Sequence, residues 1–171
     1  FTKRAGGEDF YCLNKLAKIG EIKQLRGDKL IINARNSNRV PFGTGPAVEK
    51  ILQNSDSIAT LTTYNPIIFW LLKNLLLSFE DLFNDKDIPK KWLKRQPKET
   101  RIALESLHID LLLNHITSQI KDSKSCIRHI QHWFDAFKTL KFIHALEQYY
   151  PKVSLEKAEN QLRAGFEAHK R

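Results

Sequence analysis

Positively charged side chains are concentrated in one short stretch of the chain, between residues 86 and 101. Seven of them stand there against Asp87 and Glu99, a net charge of +5 out of +9 for the whole chain. Clustered cations neutralise phosphates and release counterions, which gives affinity for nucleic acid without reading its bases. The cationic residues are Lys86, Lys90, Lys91, Lys94, Arg95, Lys98 and Arg101. This stretch is the first candidate for a binding surface.

A short helix over residues 89–95 is predicted within this stretch, because Asp87-Ile88-Pro89 is typical of a helix start. Trp92 belongs to that helix, and an indole can stack on an unpaired base. Positions i, i+1, i+4 and i+5 share one helix face, and they are occupied by Lys90, Lys91, Lys94 and Arg95. The alternative interpretation is a solvated linker in which Trp92 and Leu93 pack inward while the lysines face water.

A second basic strip lies on a helix predicted over residues 126–150. His129 and His132 are interspersed there with Arg128, Lys138 and Lys141. Acidic lipids or an acidic protein surface would suit these cations as well as nucleic acid does. For nucleic acid, the two strips together predict ten binding residues: Lys90, Lys91, Trp92, Lys94, Arg95, Lys98, Arg101, Arg128, Lys138 and Lys141.

Metal and phosphate motifs in the sequence are incomplete. His129 and His132, with Asp135, have a spacing compatible with metal ligands, but a zinc site needs three or four such groups. His108 and His115 contribute only if two helices cross. Gly43-Thr44-Gly45-Pro46 lacks the Lys-Ser/Thr pair of a P-loop and the third glycine of a dinucleotide-binding motif. We therefore expect neither a metal nor a cofactor.

Catalytic patterns are also missing from the sequence. Cys12 and Cys126 are possible nucleophiles, yet neither has an assignable histidine base. The Gly-x-Ser-x-Gly pattern is absent, and acidic pairs such as Glu80-Asp81 lie near predicted helix ends, where they interact with helix dipoles. The sequence therefore predicts a protein that is not an enzyme.

The overall composition is that of an ordinary globular protein, with 42% hydrophobic and 27% charged residues among 171. These values exclude a disordered tail, a collagen-like repeat and a disulfide-stapled miniprotein. Two cysteines, far apart in sequence, indicate a reduced intracellular protein, cytoplasmic or nuclear. The chain shows no signal peptide and does not begin with Met, so we expect it to be part of a larger chain or complex.

Glycine separates the chain into two regions, because six of its seven glycines fall within the first 45 residues. We predict a turn-rich segment over residues 1–45, packed on a helical domain over residues 46–171. Two apolar runs, 21–26 and 29–33, flank Gly27-Asp28 and predict a small β-hairpin in the first segment.

Helix signals dominate the rest of the chain. Asn65-Pro66 is an N-cap followed by proline at the first helical position, and residues 66–84 are apolar on nearly every side. We expect this helix to be the most buried element, and not a membrane span, because Lys73 interrupts the apolar run. Further helices are predicted over 97–121 and 126–150 and from Ser154 onward. The predicted fold is mainly α, a four- to six-helix bundle with a small N-terminal hairpin.

Charge and fold together favour a non-enzymatic, nucleic-acid-associated helical domain that holds a phosphate backbone through its basic patch. The alternative is a helical scaffold or adaptor domain that binds other proteins through a groove between helices. The sequence leaves open the partner, the choice between RNA and DNA, and the oligomeric state.

Overall fold

The structure is a computed structural model, which describes residues 7–24, 26–27, 29, 31, 33, 43–53, 61–83 and 88–168. The chain forms two compact units, Phe1–Leu61 and Thr62–Arg171. The described residues are mainly helical, as the sequence predicts. The division into a segment 1–45 and a domain 46–171 stays a prediction.

The first unit contains two helices in its described part, α1 over Glu8–Leu16 and α2 over Thr44–Gln53. No residue of α1 is buried. The predicted hairpin is not confirmed, because none of the described residues between 21 and 33 lies in a strand. Four residues of the predicted hairpin lie outside the described part of the chain: Leu25, Asp28, Leu30 and Ile32.

The second unit contains seven α-helices in its described part, a 3₁₀ helix and a two-stranded sheet. The helices are α3 (Pro66–Ser78), α4 (Ile88–Arg95), α5 (Lys98–Ser106), α6 (Ile109–Gln119), α7 (Ser123–Trp133), α8 (Ala136–Glu147) and α9 (Leu155–Ala168), and the 3₁₀ helix is Phe79–Phe83. Strand β1 (Thr62–Thr63) pairs antiparallel with β2 (Val153–Ser154), with Thr62 opposite Ser154. This sheet therefore joins the start of the unit to its last helix.

Helix α3 begins where the sequence predicts. The Asn65 side chain accepts a hydrogen bond from the Ile67 N–H at 3.1 Å, and Pro66 occupies the first helical turn. This bond satisfies one of the four N–H groups that have no partner within the helix. The cap and the proline together define the start of α3.

Two helices predicted as continuous are each divided in two. The first break is at His108, which has φ 59° and ψ 47°, a left-handed conformation that ends α5 and starts α6. The second break is at Asp135, whose carboxylate accepts the Lys138 N–H at 3.0 Å and caps α8. A short polar side chain such as that of Asp135 favours a local cap over helix continuation. His108 makes no side-chain cap, so its left-handed backbone alone marks the first break.

Five aromatic side chains form a cluster where α3 ends, and we call it the Phe79 cluster. The Phe79 ring lies 5.9 Å from the ring of Trp92 and 5.6 Å from that of Phe134, between centroids. Phe134 contacts Phe142 at 5.8 Å and Trp133 at 6.0 Å. Because Trp92 belongs to α4 and Phe142 to α8, the cluster joins α4 to the turn between α7 and α8.

Helix α3 is less buried than the sequence predicts. Ile68 and Leu75 are fully buried, whereas several apolar side chains of α3 are exposed. The exposed ones are Ile67, Phe69, Leu76 and Leu77. The expectation that 66–84 is the most buried element is wrong, because the described neighbours cover only one side of it and its regular helix ends at Ser78.

No helix formed by described residues has both the length and the hydropathy needed to cross a bilayer.

Helix α9 packs closely on α3 at Gly165. A Cβ atom placed at Gly165 would overlap the Trp70 ring. Glycine inside a helix usually costs stability, about 0.5–1 kcal/mol relative to alanine. Here the missing side chain makes room for an indole.

We predict that Gly165→Ala lowers the melting temperature, since the Trp70 ring must move to accept the methyl group. Overpacking of this kind costs about 1–3 kcal/mol, and each 1 kcal/mol lowers the melting temperature by about 4 °C. Thermal unfolding followed by circular dichroism measures the effect. Asn160→Ala, at an exposed position of the same helix, serves as the control and should not destabilise. Equal stabilisation by both changes would show that α9 does not pack on Trp70.

Candidate functional site

Helix α4 presents four cations on one exposed side, which we call the α4 basic face. Its residues are Lys90, Lys91, Lys94 and Arg95, all of them exposed. Pro89 and Trp92 lie on the opposite side and are buried. The helix is therefore amphipathic, with its apolar side in the core and its charged side in water. The spacing seen in the sequence correctly places the four cations together.

Trp92 holds the buried side of α4 in place. Its side chain is 2% exposed, and its indole N–H donates to the Ser78 carbonyl at 2.9 Å and lies 3.1 Å from the Ser78 hydroxyl. The ring is enclosed and is unable to stack on an unpaired base. The prediction of Trp92 as a nucleic-acid-binding residue is corrected accordingly: it anchors α4 to the end of α3.

The other predicted cations of the 86–101 stretch are less closely grouped. Lys98 is exposed at the start of α5. Arg101 is partly buried, and its Nε lies 3.9 Å from Glu105 Oε1, one turn along the same helix. Lys86 lies outside the described residues. Glu80 and Asp81 are exposed on the 3₁₀ helix, which packs against α4.

A cleft of about 860 Å³ lies between α6, α7, α8 and the turn that joins α5 to α6, and we call it the histidine cleft. Its walls combine apolar side chains with basic ones. The apolar lining residues are Leu107, Leu111, Leu112, Trp133 and Phe137, and the polar ones are Ser106, His108, His115, His129, His132, Lys138 and Lys141. Among the residues that the structure describes, no carboxylate belongs to the lining.

Helix breaks and helix spacing position the basic groups of this cleft. The left-handed turn at His108 redirects the chain into α6. His115 is exposed on α6 and lies outside the set of buried residues of that helix. His129 and His132 are three residues apart on α7, and the rings of His115 and His129 lie 4.9 Å apart between centroids. The crossing of α6 and α7 therefore brings together histidines that are remote in sequence.

Two lysines of the cleft lie over aromatic rings. Lys138 Nζ is 5.1 Å from the centre of the Trp133 ring, and Lys141 Nζ is 4.7 Å from the centre of the Phe137 ring. Both distances are within the range of cation–π attraction. The contacts hold each ammonium group beside an aromatic ring.

The described residues contain no group of three or more histidine, cysteine, aspartate or glutamate side chains placed to hold a metal ion. Asp135, which has metal-ligand spacing from His132 in the sequence, caps α8 instead. His144 lies apart from the cleft residues named above and is within 3.1 Å of the Tyr64 hydroxyl.

The remaining predicted residues do not join these two surfaces. Arg128 is exposed on α7 but does not line the cleft. Cys126 is buried, and this burial, together with the negative charge of Asp122, raises the pKa of its thiol. A buried thiol with a raised pKa is a poor nucleophile. Asp122 caps α7, and its hydrogen bonds from the Ser125 backbone and side chain lower the pKa of its carboxyl.

Comparison of the chain with models of protein families, with curated proteins and with solved structures found no match. The α4 basic face and the histidine cleft are therefore the two candidate sites. The sequence predicts the four cations of α4 and the basic residues of α7 and α8. It joins His108 and His115 to His129 only on the condition that two helices cross, and α6 and α7 do bring the rings of His115 and His129 together.

We predict that Trp92→Phe lowers the free energy of unfolding by about 1–3 kcal/mol, because it removes the N–H donor of a buried hydrogen bond. Urea unfolding followed by circular dichroism measures the change. Ser78→Ala is the matched control, since it removes the hydroxyl but keeps the carbonyl that accepts the shorter bond. It should cost less than Trp92→Phe. An unchanged midpoint for Trp92→Phe would mean that the bond does not anchor α4.

Proposed function

We propose that this protein is a non-enzymatic, nucleic-acid-associated helical domain that binds a phosphate backbone through the α4 basic face. The observation that carries the proposal is the grouping of Lys90, Lys91, Lys94 and Arg95 on one exposed helix side. The opposite side is fixed in the core by Trp92. A fixed helix loses little conformational freedom on binding, so more of the electrostatic attraction appears as affinity.

The length of the face suits a phosphate backbone. From Lys90 to Arg95 the helix advances about 8 Å, at 1.5 Å per residue. One strand of duplex DNA carries a phosphate about every 3.4 Å along its axis. The α4 basic face is thus long enough to contact two or three phosphates of one strand. Its flexible lysine side chains also reach the phosphates next to them.

The chemistry of the face supports binding without sequence preference. Phosphate contacts set position and orientation, whereas hydrogen bonds to base edges specify sequence. Lysine is a flexible point charge and does not match a base edge in the way that a planar side chain does. Exposed cations elsewhere in the second unit, among them Lys98 and Arg128, strengthen the positive field that attracts a polyanion.

A second candidate function is a helical adaptor domain that binds other proteins, including acidic ones. The exposed apolar side chains of α3 favour it, since Leu77 is 64% and Leu76 is 48% exposed. Exposed apolar groups that lie together are typical of protein-binding surfaces. The salt dependence of binding separates the two candidates, because burial of apolar groups responds far less to salt than phosphate contacts do.

We predict that affinity for nucleic acid falls steeply with salt. Four phosphate contacts give a slope of about −3.6 in log affinity against log salt for duplex DNA, which is roughly a hundredfold loss between 50 and 200 mM. Fluorescence anisotropy with a labelled mixed-sequence duplex and a single-stranded RNA of equal length measures this slope. The test variant carries glutamate in place of Lys90, Lys91, Lys94 and Arg95. This charge reversal should abolish binding and leave the melting temperature nearly unchanged.

The control for this experiment reverses four other exposed charges and so changes the net charge by the same amount. Its positions are Lys15, Lys121, Lys124 and Lys157. The control should keep most of the affinity, because long-range attraction is screened beyond about 10 Å at 0.1 M salt. Binding that survives reversal of the α4 basic face, or that both variants weaken equally, would contradict the proposal.

A further inference from the structure

We infer that the histidine cleft is a separate binding site for a nucleoside phosphate, and that it binds this ligand more tightly as its imidazoles take up protons. The site is distinct in residues from the α4 basic face. Its ligand is either a free nucleotide or the terminal nucleotide of a nucleic acid, which share one chemistry, a flat ring joined to a phosphate.

The charge of the cleft calls for an anion. Lys138 and Lys141 line it, four histidines add positive charge when protonated, and none of the described carboxylates belongs to its lining. The acidic groups nearest in sequence are Glu105 on α5, Asp110 on α6 and Asp135 before α8. Glu105 lies 3.9 Å from Arg101 and Asp135 accepts a backbone N–H, while Asp110 is exposed in the first turn of α6. The lining itself is therefore cationic.

The apolar part of the cleft favours a ligand that carries a flat ring beside its anionic group. Trp133 and Phe137 are aromatic surfaces within the lining, which also contains the buried side chains of Leu107 and Leu112. Aromatic side chains bind flat rings by stacking, with about 1–3 kcal/mol for a nucleobase. A ring placed against Trp133 or Phe137 would carry its phosphate close to the lysines, since each ammonium group is already about 5 Å from a ring centre.

The size of the cleft is compatible with a mononucleotide. Its volume of about 860 Å³ is within the range of roughly 300–1,000 Å³ for small-molecule sites. The histidines are exposed, whereas Leu107 and Leu112 are buried. A protonated imidazole donates hydrogen bonds from both ring nitrogens, to a phosphate or to acceptor atoms at the edge of a base.

Proton uptake follows from the arrangement of the histidines. The rings of His115 and His129 are 4.9 Å apart between centroids, so two positive charges there repel each other unless an anion lies beside them. Histidine changes charge between about pH 5 and 8. A bound phosphate favours the charged imidazoles, and affinity therefore rises as pH falls from 7.5 towards 6. Below about pH 6 the phosphate itself gains a proton, which limits the gain.

The inference is tested by isothermal titration calorimetry with adenosine monophosphate at pH 6.0 and 7.5 and constant ionic strength. Inorganic phosphate and adenosine are titrated separately as the two halves of the ligand. We expect the nucleotide to bind at least tenfold more tightly than either half at pH 6.0, and about tenfold more weakly at pH 7.5. Titration at pH 6.5 in two buffers of different ionisation enthalpy should show proton uptake on binding.

Variants locate the ligand within the cleft. Lys138→Gln combined with Lys141→Gln should lower affinity for the nucleotide at least tenfold. His115→Gln combined with His129→Gln should bind at pH 6.0 only as tightly as the unaltered protein does at pH 7.5. The matched control is Lys90→Gln combined with Lys94→Gln, which should leave nucleotide binding unchanged while it weakens binding of the long duplex. Circular dichroism confirms that each variant is folded.

The source of the ligand is distinguished by a short 5′-phosphorylated RNA titrated beside the mononucleotide. Binding of the mononucleotide that depends on Lys138 and Lys141 supports a free nucleotide as the ligand, and binding of the RNA alone with the same dependence supports a terminal nucleotide. Failure of both to bind, equal binding of phosphate alone, or affinity that does not change with pH would overturn the inference. These three results concern the cleft alone, because the test of the α4 basic face reverses Lys90, Lys91, Lys94 and Arg95, which are not among the lining residues of the cleft.

Discussion

The Phe79 cluster is the packing interaction on which both basic surfaces depend. Its central ring contacts Trp92, which orients α4, and Phe134, which lies at the turn between α7 and α8. The pair of Phe79 with Phe134 is edge-to-face, and such a pair contributes about 0.5–1.5 kcal/mol beyond the burial of its area. These ring contacts fix the orientation of α4, whose cations face water, and the position of α8, whose lysines line the cleft. A change at the centre of the cluster would affect both surfaces.

The two surfaces use positive charge in different ways. The α4 basic face holds lysine and arginine, whose charge is constant at physiological pH, and it lies open to water. The histidine cleft adds imidazoles to its two lysines and sets them beside aromatic and leucine side chains. An open row of constant charges suits a long polyanion of any sequence. A recessed and titratable set suits a small ligand of defined shape. The two proposals thus give one helical unit two kinds of anion recognition.

Local signals in the sequence predict the parts of this fold that depend on neighbouring residues. Asn65-Pro66 correctly predicts the start of α3, and helical spacing correctly groups the four cations of α4. The burial of Trp92, the exposed side of α3 and the meeting of His115 with His129 depend on tertiary contacts between distant segments, which periodicity does not reveal. The breaks at His108 and Asp135 were missed for another reason. Each is a single polar residue within a pattern that fits a continuous helix.

The pairing of β1 with β2 has a consequence for the order of folding. It joins Thr62 to Ser154, about ninety residues along the chain, and the entropy lost in closing a loop grows with its length. A two-stranded ladder of two residues each offers little to offset that loss. Helices α3 to α8 must therefore pack first and hold the two segments close. During synthesis β1 can pair with β2 only after β2 has left the ribosome, so this two-stranded sheet forms late.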